Sequence, residues 1–300
     1  MNMIKDTDFA YAAGYFDGDG CFFIGNIHTE GRIRPRCNVI INSTHIENMH
    51  WFQKTFGGSV ISRTNKNTKA KPVHRYVLKG KDLETFKGVK SFLIEKSHEY
   101  EVFESFRNTS DKDKRDLLIL RMNALKNSTN LIYESIKDVL EHIKNSITPS
   151  ICDWAYLAGF VDAECCLGIQ RNFTKNRPNP TYKIQLQCNN SKSPCFFWLS
   201  ERFGGQFHFI DRSTAITPQR NQMTWRISAK SLFPILENIS PFLKHKKPIC
   251  DELIKFYETT FNRTGNPSPN SPGFTEFYRP ILEQRNVIFH NIQQLNKKGI

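Results

Sequence analysis

Two carboxylates recur in this chain at matching places. Asp19 closes the run FAYAAGYFDGD at 9–19, and Glu164 closes WAYLAGFVDAE at 154–164. A second acid, Asp17 or Asp162, stands two positions before each. On a helix, residues four apart share a face. That puts Ala10, Gly14 and Gly18 on one stripe, and Ala155, Gly159 and Ala163 on another. Stripes of small residues let two helices cross with their backbones nearly touching. Such a crossing would set Asp19 beside Glu164, with Asp17 and Asp162 placed to cap or support the bend. Tyr11, Tyr15 and Phe16 are expected to face away, each into the core of its own unit. Two carboxylates forced together do not both ionise cheaply without a counter-charge. Hard oxygen ligands suit Mg²⁺, and metal ions between two carboxylates activate water and stabilise a leaving oxygen. Asp19 and Glu164 are therefore the candidate metal ligands.

The charge balance names the substrate class. Lys and Arg number 42 against 29 Asp and Glu, a net charge of +13. A charge of that size points to a polyanion, nucleic acid before membrane. No apolar run approaches the length that spans a bilayer, so no membrane association is expected. The opening MNMIKDTDF has neither the basic nor the apolar region of a signal peptide. The 39% hydrophobic content supports a real core and argues against disorder. The eight cysteines form no C-x-x-C pair and read as reduced thiols, mostly buried. A reducing compartment follows, either an organelle or a bacterial or archaeal cytoplasm. The sequence does not choose between them.

The elements around the acids repeat as well. WFQKTFGGSV at 51–60, YVLKGKDL at 76–83 and FLIEK at 92–96 return in the same order as WLSERFGGQF at 198–207, WRISAKSL at 225–232 and FLKHK at 242–246. Asp19 lies 32 positions before Trp51, and Glu164 lies 34 before Trp198. The chain is thus two copies of one unit, with a first unit at 1–124, a helical linker at 125–150 and a second unit at 151–300. Each copy reads α-β-β-α-β-β-α, an α+β fold. In the first copy the strands are RPRCNVIINS at 34–43 and segments near 59–64 and 73–79. A helix near 46–56 is closed by Gly57, and further helices lie near 81–87 and 96–107. In the second copy, strands fall near 165–173, 181–190, 206–212 and 223–228. The Pro- and Asn-rich stretch at 262–273 reads as a loop.

AAGYFDGDG and LAGFVDAEC, with the repeat order around them, resemble the LAGLIDADG homing endonucleases in their monomeric two-motif form. The resemblance spans almost the whole chain. It implies two pseudo-symmetric αββαββα units whose two antiparallel four-stranded sheets form a DNA-binding saddle. It implies two or three Mg²⁺ ions shared by Asp19 and Glu164, and cleavage of a long, imperfectly palindromic double-stranded DNA site that mobilises a host intron. It implies catalytic roles for Lys96 in KSFLIEK and Lys246 in SPFLKHK, and for His45 and Lys192, each six positions before the Trp of its helix. The second motif departs from the family in Glu164 for Asp and Cys165 for Gly, which points to unequal cutting of the two half-sites.

The polar strand and loop residues are the candidates for DNA contact. In the first unit they are Asn26, His28, Arg32, Arg34, Arg36, Asn38, Asn42, Arg63, Lys66 and Arg75. In the second they are Gln170, Arg171, Lys175, Arg177, Lys183, Gln185, Gln187, Asn189, Arg212, Arg220 and Arg226. The major groove admits a β-ribbon, and Arg, Asn and Gln read guanine and adenine edges there, while loop lysines suit phosphates. Two other functions stay open. One is an RNA maturase of the same fold, with the host intron RNA as partner. The other is a DNA-binding regulator that does not cut, which would not need a carboxylate at both positions.

Overall fold

The computed structural model describes residues 3–29, 32–63, 71–127, 147–173, 175, 179–190, 193–210, 222–228, 231–261 and 274–298. The first half runs α1 (Asp6–Asp19), β1 (Gly20–Thr29), β2 (Arg32–Ser43), α2 (Ile46–Phe56), β3 (Ser59–Arg63), β4 (Val73–Lys79), a 3₁₀ helix (Gly80–Phe92), α3 (Ser97–Arg107) and α4 (Lys112–Asn127). The second runs α5 (Ile151–Glu164), β5 (Cys165–Asn172), β6 (Thr181–Asn190), α6 (Ser193–Phe203), β7 (Gln206–Ile210), β8 (Gln222–Ser228), α7 (Phe233–Ile239), α8 (Lys247–Phe261) and α9 (Phe274–Lys298). Each half has one four-stranded antiparallel sheet, in the orders β1-β2-β4-β3 and β5-β6-β8-β7. The α+β class read from the repeat and the two four-stranded sheets implied by the family resemblance are therefore present. Most of the proposed linker and the whole 262–273 loop lie outside the described residues.

Local chemistry sets several boundaries. Ser150 and Asp153 form a capping box at the start of α5, Ser150 Oγ accepting from Asp153 N at 3.2 Å and Asp153 Oδ2 accepting from Ser150 N at 2.8 Å. Gly57, at φ 82°, ends α2 as its position foretold. The segment after β4 differs from expectation. It forms one 13-residue 3₁₀ helix rather than a short α-helix, and Gly80 and Gly88 lower its α propensity. The corresponding segment of the second half, with Pro234 in its first turn, makes the α-helix α7.

Alternation along the strands divides each sheet into two faces. Phe22, Ile24, Val39, Ile41, Tyr76 and Leu78 are buried under the helices of the first half, and Leu167, Ile184, Leu186, Trp225 and Ile227 under those of the second. The residues between them form an open face. Helix α4 flanks the edge strand β1, where Asn26 Nδ2 donates to Asp116 Oδ1 at 3.1 Å and Lys126 Nζ to Phe22 O at 2.6 Å. Helix α9 flanks β5 in the same way. Covering an edge strand blocks its pairing with another chain.

Cys165 and Cys188 face each other across β5 and β6, 4.2 Å apart at Cα, and form a disulfide. This corrects the reading of all cysteines as reduced thiols. The register of the β5–β6 pair, which places the two residues opposite each other, is invisible in their spacing.

Candidate active site and nucleic-acid interface

The motif helices α1 and α5 cross between the two sheets through their small residues. A Cβ added at Gly14 would lie 2.0 Å from Tyr156 O, and one at Gly159 would lie 2.0 Å from Tyr11 O. One at Gly18 would lie 2.6 Å from Ala163 Cβ and 2.7 Å from Glu164 Cγ. Each half thus presents its glycine to the other's backbone, and the carboxylate ends of the two helices meet.

Tyr15 and Phe16 face their own half as expected, and Tyr11 does not. Tyr15 bonds Ser43 of its own half at 3.1 Å, and Phe16 packs on Phe22 and Phe86. Tyr11 instead crosses over, its hydroxyl donating to Asp162 Oδ2 at 2.7 Å, and Tyr156 donates to Asp17 Oδ2 at 2.7 Å. The crossing is so close that a ring on one helix spans to the acid of the other. The repeat carried the signal, since Tyr156 recurs at the position of Tyr11. Each buried acid also holds the turn entering a later helix. Asp17 accepts from the backbone N–H of Ile94, Glu95 and Lys96 at 2.8, 3.0 and 2.9 Å. Asp162 accepts from those of Lys244, His245 and Lys246 at 2.8, 3.2 and 2.8 Å. Asp17 and Asp162 are therefore structural anchors. A hydrogen bond to a charged group contributes about 1.5–3 kcal/mol. Tyr156→Phe is accordingly expected to lower stability by about 2 kcal/mol, read as a lower urea midpoint at unchanged slope. An unshifted midpoint would show that the hydroxyl anchors nothing.

These anchors deliver two lysines to the helix ends. Lys96 Nζ, largely buried, donates to Phe16 O at 2.9 Å and Gly18 O at 3.3 Å, and to Asp17 O. Lys246 Nζ donates to Val161 O at 2.6 Å and Asp162 O at 3.0 Å. A cation at a helix C-terminus complements the dipole and the free carbonyls there. Burial holds the Lys246 ammonium below its usual range, and the charges of Asp162, Asp19 and Glu164 oppose that shift.

Asp19 is half-buried, and Glu164 is the more exposed of the pair. The Asp19 carboxyl is pushed up to about 7, first by burial and then by the charge of Glu164, while Lys96 and Lys246 pull it back. Glu164 is also raised, chiefly by burial. The sign of the pH effect follows. Without divalent cation the folded protein keeps a proton on Asp19 that the unfolded chain releases, so stability is lost as pH rises from about 4 through about 7. Asp19→Asn cannot ionise. In EDTA at pH 8 the variant is expected to be more stable than the parent by about 2 kcal/mol, after allowance for solvent screening. The difference should vanish near pH 4. Equal unfolding midpoints at pH 8 would refute the neutral-range titration.

Other placements were not legible in the sequence. His45 stacks on His245 across the two halves, ring centroids 3.4 Å apart. The His245 imidazole is pushed down to about 3, first by burial and then by His45 and Lys246. His45 is lowered by burial and by Lys246. His45 shares an open hollow with Asp19, Asn42, Ser43, Thr44, Val73 and Ala163, so the structure brings it to the side of Asp19. Lys244 lies over the rings of Tyr11 and Trp51 at 4.4 and 4.2 Å, tying the second half to the first.

The strand candidates divide by face. Arg34, Arg36, Asn38, Asn42, Arg63 and Arg75 share the open face of the first sheet, although Asn38 is itself buried there. Gln170, Lys183, Gln185, Gln187, Asn189 and Arg226 share that of the second, although Gln185 is itself buried. Asn26 and Arg171 do not join them. Both fall on the helix-covered face, Asn26 bonded to Asp116, and Arg171 bonded to Asn286 at 3.2 Å and lying over Phe289. Lys175 is exposed in a loop. Lys66, Arg177, Lys192, Arg212 and Arg220, and the side chains of His28 and Arg32, lie outside the described residues. Among the described strand residues, the open faces of both sheets carry no Asp or Glu.

No protein-family model and no curated protein matches the chain. Solved structures do. The meganuclease I-SmaMI, bound to uncleaveable DNA, superposes with a TM-score of 0.62 at 14% identity, covering 94% of this chain and 100% of its own. The LAGLIDADG meganuclease I-AabMI, bound to uncleaved DNA, gives 0.60 at 17% identity over 92% of this chain and 98% of its own. The LAGLIDADG homing endonuclease I-GzeII, in complex with its DNA target, gives 0.59 at 15% identity over 95% and 98%. At these identities the likeness establishes the fold.

Proposed function

We propose that this chain, which has the fold of the LAGLIDADG homing endonucleases, is a site-specific endonuclease that cuts both strands of a long DNA site and so promotes the mobility of a host intron. The observation that carries this reading is the pair Asp19 and Glu164 at the ends of the crossed helices, between two open sheet faces free of carboxylates. Both half-sites are read within one chain, so the active form is a monomer.

The donor set fits Mg²⁺. Two hard carboxylates side by side match an ion that takes one or two protein carboxylates and fills its other positions with water and substrate phosphate. Asp19 and Glu164 would hold it, and when bound it supplies charge neutralisation at the phosphodiester and an activated water. The chain's own groups do the rest. Lys96 and Lys246 stand close enough to the acids to counter their charge and that of the phosphate. His45, its imidazole held below its usual range by burial and by Lys246, lines the hollow beside Asp19 and would offer a neutral ring nitrogen for hydrogen bonding there. The strand arginines and amides hold the duplex across the acids.

The test is incubation of the protein with a randomised duplex library in Mg²⁺ or Ca²⁺, followed by sequencing of the ends. The expected result is a family of fragments sharing one long site, cut in Mg²⁺ only. Binding without cutting in either metal would overturn the nuclease and favour the maturase, for which host intron RNA is the next substrate.

A further inference from the structure

The pairing registers align the two open faces row by row. Gly20 faces Ile41 and its counterpart Cys165 faces Cys188, so Asn42 corresponds to Asn189 and Ile40 to Gln187. On the next strand Arg75 corresponds to Thr224, and Val77 to Arg226. The row nearest the acids is Asn42 with Arg75 in the first half and Asn189 with Thr224 in the second. The next row outward is Ile40 with Val77 in the first half and Gln187 with Arg226 in the second.

Within these two rows each half holds one guanidinium bonded to a neighbouring amide, but in different rows. Arg75 Nε donates to Asn42 Oδ1 at 2.9 Å. Arg226 Nη2 donates to Gln187 Oε1 at 2.8 Å. In the inner row of the second half a hydroxyl takes the guanidinium's place, Thr224 Oγ1 donating to Asn189 Oδ1 at 2.6 Å. In the outer row of the first half two aliphatic side chains take it. An amide that occupies one N–H of the guanidinium fixes its plane and leaves other donors free. Arginine pairs bidentately with guanine O6 and N7, and apolar side chains contact the thymine methyl. Two residues along a strand span about 6.8 Å, the length of about two base-pair steps.

Resting on the DNA-cleaving reading above, we infer that the two guanidiniums read the target out of register with its pseudo-symmetry. Arg75 reads a guanine close to the cleavage centre in one half-site. Arg226 reads a guanine about two base pairs farther out in the other. Where the first half-site would mirror that outer guanine, Ile40 and Val77 take a thymine methyl. The imperfection of the palindrome is thus written into these two rows.

The test is selection of a duplex library, randomised across both half-sites, by the full-length protein in Ca²⁺. Expected, at the positions these two rows cover, is one guanine preference in each half-site, offset by two base pairs, with thymine at the outer mirror position. Arg75→Ala should erase the guanine preference in the first half-site alone and weaken binding to the selected site roughly 10- to 100-fold. Arg226→Ala should do the same in the second. Arg75→Lys keeps the charge without the fork, so it should lose the base preference while retaining more affinity. Guanines at mirrored positions would overturn the inference, as would variants that weaken all sequences alike. A selected site lacking the offset guanines overturns this inference alone. Selection of no site at all overturns it together with the nuclease reading.

Discussion

Asp19→Asn and Glu164→Gln are each expected to reduce double-strand cleavage in Mg²⁺ by at least about a thousandfold, with affinity for the selected DNA in Ca²⁺ changed only a few-fold. Both acids sit at the end of the crossed helices, and neither belongs to the open sheet faces that carry the arginines and amides. Each substitution keeps the side-chain shape and removes only the charge that a cation needs. Catalysis and docking should therefore separate. The Asp19 variant makes the separation sharper, because relief of the raised carboxyl should make it more stable than the parent in metal-free buffer at pH 8. A less active and more stable protein is the mark of a site that keeps two carboxylates together at a cost in stability. Near-parental cleavage by either variant would remove that acid from the site. A parallel loss of binding and cleavage would mean that it positions DNA instead.

Gly159→Ala is expected to destabilise the protein by more than about 3 kcal/mol, and Gly14→Ala by a similar amount. The added methyl at 159 would stand 2.0 Å from Tyr11 O and 2.9 Å from Tyr11 C and Tyr15 N. All three are backbone atoms of a buried helix and have no rotamer by which to move aside. Relief requires the helices to part, which would lengthen the Tyr11–Asp162 and Tyr156–Asp17 bonds and separate Asp19 from Glu164. Cleavage should fall with stability. Gly168 provides the control, since an added Cβ there meets nothing within 4 Å. Gly168→Ala should leave the unfolding midpoint within about 0.5 kcal/mol of the parent. Equal midpoints for Gly159→Ala and Gly168→Ala in thermal or urea unfolding would dismiss the close crossing.

What the sequence determined by itself was set by period and repetition. The two small-residue stripes, the acids at their ends, the strand alternation and the order of elements are all local or repeated patterns, and they survive into the fold because each is a rule of backbone geometry. The helix ending at Gly57 belongs to this class. Tertiary structure alone decided the rest, because it depends on distances between segments far apart in the chain. Tyr11 reaches Asp162 only because glycine lets the helices touch. Asp17 gathers three N–H groups nearly eighty residues downstream, and His45 finds His245 only across the join of the two halves. Asn26 and Arg171 carry the right chemistry for DNA, yet their parity along β1 and β5 turns them toward α4 and α9. A one-residue shift in a strand reverses the face a side chain occupies, and only the paired register fixes which face meets the helices.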